Sequence, residues 1–228
     1  MASTYTDLGI ELMATGENAG TWGTKTNANL QLIEQLTGGF ATLSIAGGAG
    51  TQALDIDDGA LTGTAQQRII EFTGSITGNR IITIPNDVET FYILKNSTSG
   101  AYTVQFKYAT GSGSSTTFSA TDKGIKTVYA SANDGTNPDI VDVMANSSEI
   151  VLANNNPIKF NDADNSAFVG IDAPATVSGS YTLTLPAAVG SASQALVTTD
   201  GAGTLGFTST SSFGISTGKA IAMAIVFG

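Results

Sequence analysis

Between 102 and 108 the chain alternates, with Tyr102, Val104, Phe106 and Tyr108 on one side of the pattern and Thr103, Gln105 and Lys107 on the other. A period of two marks a β-strand and places four large side chains on one face. The runs at 81–84 and 91–94 are almost continuously apolar, which predicts strands covered on both faces and therefore two packed sheets. Strands at 125–129 and 140–144, joined across NDGTNP at 133–138, complete a small sandwich or barrel over 60–145. Beyond 146 the predicted strands become shorter and more separated, at 150–152, 158–160, 168–171, 181–185 and 194–198.

Only residues 1–45 read as helical. Leu30, Ile33 and Leu36 fall at helical spacing after TWGT at 21–24, and Gly38 and Gly39 end the pattern. Asn27 and Asn29 are good caps and poor interior residues, so a start later than Thr24 is expected. A single short helix cannot bury its own apolar face and needs a partner. GGAG at 47–50 reads as a linker and DIDDG at 55–59 as the turn after a short strand, so 46–59 is a connector. In the last eleven residues, Ile221, Met223, Ile225 and Phe227 share one strand face, and Ala220, Ala222, Ala224 and Val226 share the other. Neither face is polar, which predicts a strand within 213–228 that is buried on both sides.

Three stretches carry a resemblance. Residues 178–207, SGSYTLTLPAAVGSASQALVTTDGAGTLGF, resemble a repeat of tail fibres and other virion fibres of tailed bacteriophages, differing in having Ser193 where that repeat usually has glycine. Residues 8–34, with GTWG at 20–23 followed by NAN at 27–29, look like the opening of fibre proteins from phages of marine bacteria. NRIITIP at 79–85, FYILKNSTSGAYTVQF at 91–106 and DGTN at 134–137 resemble a β-rich module of tail-fibre proteins.

The resemblance implies an all-β homotrimer: an N-terminal virion-attachment segment (1–45), a β-sandwich module (60–145), an intertwined β-prism (146–212) and a buried C-terminal strand. Trimerisation would also cover strand edges left unpaired within one chain. On that reading Trp22, Asn27, Asn29, Leu30 and Ile33 are attachment candidates. Leu183, Leu185, Leu196, Leu205, Phe207, Ile221, Met223, Ile225 and Phe227 are trimer-interface candidates. Partners would be other virion proteins (a tail adaptor, nozzle or fibre, alternatively the capsid) and a host surface receptor. The alternatives are a head fibre or capsid decoration protein and, further off, a monomeric carbohydrate-binding or adhesin module.

Composition removes other classes. With 19 Asp and Glu against 9 Lys and Arg, the net charge of −10 argues against nucleic acid, whose phosphates need clustered cations. Cysteine and histidine are both absent, so disulfides, thiolate nucleophiles, imidazole bases and the usual zinc sites cannot be built. Glu71, Glu89 and Glu149 show no spacing that selects a glycosidase pair, and no enzyme activity or cofactor is expected. Asp55, Asp57 and Asp58, and Asp162 with Asp164, read as solvated turns in preference to a calcium site, so no metal is expected. No basic leader and no apolar run near ~20 residues is visible, so a soluble protein made in the cytoplasm and built into a virion, without stable membrane insertion, is expected.

Two side-chain groups have a plain structural reading beside a functional one. Trp22 reads either as an anchor into another protein or as a core residue pinning the helix, with the core reading ahead. Tyr92, Tyr102, Tyr108, Phe118 and Tyr129 read mainly as core, which leaves the small polar loop 110–117, with Ser112, Ser114, Ser115 and Thr116, as the receptor-contact candidate.

Overall fold

The computed structural model describes residues 2–152 and 156–213. The chain divides into two compact units, Met1–Ile150 and Val151–Gly228. Among the described residues most of the regular structure is strand, and the one α-helix lies near the start, in keeping with the all-β expectation.

The first unit opens with a short hairpin, β1 (Thr4–Tyr5) and β2 (Glu11–Leu12), followed by helix α1 (Trp22–Gly38). Six strands then alternate between two sheets: β3 (Phe40–Ser44), β4 (Gly50–Ala53), β5 (Ile69–Thr73), β6 (Arg80–Ile84), β7 (Thr90–Asn96) and β8 (Val104–Tyr108). Within each sheet the neighbours are parallel. Phe40 stands beside Ile69 and Ile69 beside Ile93, so one coil takes 29 residues and the next 24. In the facing sheet Gly50 stands beside Arg80, and Arg80 beside Val104. Parallel neighbours require a long crossover, and here the crossover is the strand of the opposite sheet in place of the usual helix.

The ladder continues around the corners between the sheets. Ile45 N–H donates to Thr73 O (2.9 Å), Gly47 N–H to Ser75 O (2.9 Å) and Ile76 N–H to Ser99 O (2.9 Å). Residues 40–108 therefore wind as a short parallel solenoid whose corners stack as its strands do. Three antiparallel strands finish it: β9 (Thr116–Phe118) beside β8, then β10 (Ile125–Ala130) beside β7 and β11 (Ile140–Asp142) beside β10. The sheet orders are β11-β10-β7-β5-β3 and β4-β6-β8-β9.

The core lies between the two sheets. Phe106 contacts Phe72 (centroids 6.5 Å apart) and meets Tyr92 edge-on at 5.4 Å. Both buried tyrosine hydroxyls have partners, as buried polar groups must. Tyr92 donates to Ala65 O (2.7 Å); Tyr108 donates to Val88 O (2.8 Å) and accepts from Ala132 N–H (2.8 Å). Burial raises the pKa of Tyr92 and pushes that of Tyr108 up to about 12, so both remain neutral donors.

Several expectations change. The helix begins at Trp22, so Asn27 and Asn29 are interior residues and not caps. The 47–50 glycines form the first corner of the solenoid, and the connector 46–59 contains β4 and the buried Leu54. Tyr102 lies outside β8 and is exposed, and Tyr129 points away from the core. Phe91 is also exposed, so the 91–94 run is covered on only one side by this chain.

Among its described residues the second unit contains two separate hairpins, β12 (Ile158–Asn161) with β13 (Phe168–Ile171), and β14 (Gln194–Thr198) with β15 (Leu205–Ser209), followed by a 3-10 turn at Thr210–Phe213. No strand forms at 150–152, and the 181–185 run is reduced to a single bridge between Thr184 and Thr204. Ser193 has φ 63°, a left-handed conformation that glycine adopts without strain. The residues 221–227 proposed to line a C-terminal strand lie outside the described residues. So does nearly all of the segment 213–228 to which they belong.

Gly100 marks how tightly the corners stack: its φ is 100°, and a Cβ there would run into the carbonyl oxygen of Ile76 in the coil before. We predict that Gly100→Ala destabilises the chain by roughly 1–3 kcal/mol, whereas Gly135→Ala, where a Cβ meets open space, has little effect. Chemical denaturation of the two variants checks this.

Candidate interaction surfaces

The N-terminal segment is held to the body through backbone and amide contacts. Gln66 is fully buried, and its Nε2 donates to Leu8 O (3.0 Å) and Asp57 O (3.3 Å). Asn29 forms a two-point clamp on β2: its Nδ2 donates to Glu11 O (2.9 Å), and its Oδ1 accepts Glu11 N–H (3.0 Å). The Glu11 carboxylate then pairs with Lys25 (3.0 Å) and accepts from Asn18 (3.1 Å). Asn29, considered from sequence as a cap or a docking contact, is thus a fastener within its own chain. Periodicity could not show this, because the partner is backbone 18 residues away.

The helix packs through Leu32 and Leu36 and leaves other apolar positions uncovered. Trp22 is 64% exposed, Leu30 58% and Ile33 46%. At 100° per residue Trp22 and Ile33 fall close together, with Leu30 beside them, on a stripe adjoining the buried one. The core reading of Trp22 is overturned. Asn27 is exposed on the same helix.

The 110–117 loop is tied down along its length. Ser112 N–H donates to Asn137 Oδ1 (2.8 Å), Ser114 N–H to Asp139 Oδ1 (2.6 Å) and Ser114 Oγ to Ile140 O (3.0 Å). Ser115 Oγ accepts from Gln105 (3.0 Å), and Thr116 lies buried in β9, donating to Asp142 (3.3 Å). Thr116 is therefore withdrawn as a receptor contact. The other three are exposed, but their loop serves first to close β9 against β11.

In the second unit the predicted interface residues are uncovered. Leu183 is 54% exposed, Leu185 73%, Leu196 50% and Phe207 39%, while Leu205 is half-buried. Leu196 faces Phe207 directly across the β14–β15 ladder, with Gly190 close enough to the Phe207 ring that a Cβ would clash. Among the described residues, none beyond Ile140 is buried.

Several of the carboxylates are engaged in structural contacts. Glu71 pairs with Lys95 (2.8 Å), and Glu89 accepts from the Tyr129 hydroxyl (2.9 Å). Asp162 accepts Ser166 N–H and Ala167 N–H, and Asp164 also accepts Ser166 N–H, which makes the 161–167 turn self-contained. Asp55 holds Thr64. Among the described residues, no three Asp, Glu, His or Cys side chains converge as a metal set, and no helix is long and apolar enough to cross a membrane. No family model, curated protein or solved structure matches the chain.

The pKa of Glu11 is lowered, first by its hydrogen bond to Lys25. A lowered folded pKa means that its stabilisation is complete above the ordinary glutamate value of about 4.3 and fades as pH falls through the folded value. Trp22, the only tryptophan, reports on this helix. Its fluorescence should titrate at a pH below about 4.3, and the transition should disappear in Glu11→Gln.

Proposed function

We propose that this chain is a non-enzymatic fibre component of a bacteriophage virion, a short homotrimeric tail fibre that docks by its N-terminal segment and contributes to host adsorption. The observation that carries the reading is the second unit: strand-forming sequence with large apolar side chains and no buried residue among those described. Isolated two-stranded hairpins are marginal in water. Such a segment gains a core from other chains, and identical copies supply the same apolar strands in the same number.

Burying Leu183, Leu185, Leu196 and Phe207 between copies would contribute roughly 6–12 kcal/mol per chain before ordering entropy is subtracted. That is comparable to the whole stability of a typical domain, which is about 5–15 kcal/mol. At the other end, Trp22, Leu30 and Ile33 supply an aromatic and aliphatic stripe of the type that anchors protein interfaces. The sequence resemblance at 8–34, 79–106 and 178–207 supplies the virion context, and the absent cysteine and histidine agree with a mechanical and recognitional role.

The test is the solution mass of the full chain by chromatography with light scattering. We expect about three times 23.1 kDa, falling towards the single-chain mass in Leu196→Asp. A single-chain mass for the unaltered protein overturns the homotrimer and with it the fibre reading.

A further inference from the structure

The two sheets of the first unit treat their outer faces differently. Across the four-stranded sheet one outer row reads Thr51, Ile81, Gln105, Thr117, and the next Ala53, Thr83, Lys107. Apart from Thr83, which is buried, this is a largely polar surface of the type a sheet presents to water.

The five-stranded sheet does the opposite. One outer row reads Phe40, Ile69, Ile93, Thr127, and the next places Phe91 against Tyr129 with ring centroids 5.1 Å apart. Phe40 is 57% exposed, Phe91 49% and Ile125 64%. Inward-facing residues of the same strands, such as Ile70, Phe72, Tyr92 and Leu94, are fully buried, so these outer positions are not the core by another name.

Charge identifies the occupant. The chain carries −10 overall, so copies repel across most of their surface. On the outer rows of this face the charges are Glu71 and Lys95, which form an ion pair at 2.8 Å. At its margins stand Arg68, donating to Phe91 O (2.8 Å), with Glu89 and Asp7 at one end, and Glu34 near Phe40. A basic partner would be drawn to the acidic surface elsewhere. A face that is apolar and carries only paired charges on its central rows, on an acidic chain, suits another copy of the same chain, because the centres of two such faces meet without opposing like charges.

We propose that the outer face of the five-stranded sheet, centred on Ile93 and the Phe91–Tyr129 pair, is a contact between copies of this chain. The proposal rests on the homo-oligomer reading above and adds a second, separate contact surface to it, in the first unit.

The natural chain has no cysteine, so a single introduced thiol reports on its own surroundings. Phe91→Cys and Ile125→Cys probe the proposed contact, and Thr117→Cys, exposed on the polar outer face of the other sheet, is the reference. Each full-length variant is sized by light scattering and then reacted with a maleimide. In the oligomer, Phe91→Cys and Ile125→Cys should react at least about tenfold more slowly than Thr117→Cys. Loss of the oligomer in either variant, with Thr117→Cys still assembled, also supports the proposal. Equal reactivity at all three positions in chains that keep the trimeric mass overturns this contact and leaves the fibre reading standing. A single-chain mass for the unaltered protein overturns both.

Discussion

The first unit depends on one aromatic layer. Phe106 from the four-stranded sheet sits against Phe72 and Tyr92 from the five-stranded sheet, and that contact holds the two walls of the solenoid at packing distance. The backbone ladder repeats along the solenoid but does not itself join wall to wall except through the corners. Side chains between the walls convert stacked coils into a closed core. The hydroxyls of Tyr92 and Tyr108 extend this role to the loops by capturing Ala65, Val88 and Ala132. Losing the layer would free those segments together with the sheets.

The same constraint decides what the ends of the solenoid look like. At its last coil, Asn96 takes the inward position that Phe72 holds one coil earlier. It is fully buried, donates to Asp122 O (2.7 Å) and accepts from Thr98 N–H (3.2 Å) and Thr98 Oγ (2.8 Å). An amide there ends the stacking and starts the turn into β10. At the first coil nothing comparable occurs. Residues 40–53 carry no charge and no proline, and β3 and β4 are the outermost strands of their sheets. Charges and prolines are the usual protection of such edges. Their absence, together with exposed Phe40, fits a surface that is not finished by the single chain.

Strand positions were largely legible because alternation is local: 91–94, 125–129, 168–171 and 194–198 all fall in strands. The pairing was not. A parallel neighbour 24 or 29 residues away leaves no mark on periodicity, and short strands parted by turns suit a meander and a solenoid equally well. The repeat is also masked by its own chemistry, since equivalent inward positions read Leu43, Phe72 and Asn96. Among the candidate contacts, the exposure of Leu30 and Ile33 and the fastening of Asn29 depend on which helical face meets β2. Helical spacing is the same for either orientation. Trp22 misled for a related reason: a lone tryptophan is usually buried, and only the placement of the helix shows that it is not.

Among the described residues, exposed apolar side chains gather on one stripe of α1, on one face of the five-stranded sheet and on the hairpins of the second unit. They differ in what they ask of a partner. The sheet face and helix stripe belong to a unit that already has a core, so covering them adds affinity to a body that folds without them. The hairpins have no buried residue among those described, so in the proposed oligomer association and folding would be one step for them. With neither histidine nor cysteine in the chain, no side chain has an ordinary pKa between pH 5 and 8 and no thiol responds to redox potential. Assembly of the proposed oligomer near neutrality would therefore be set by concentration and apolar contact against a net charge of −10, a balance that favours copies joined at apolar surfaces and leaves acidic ones to solvent.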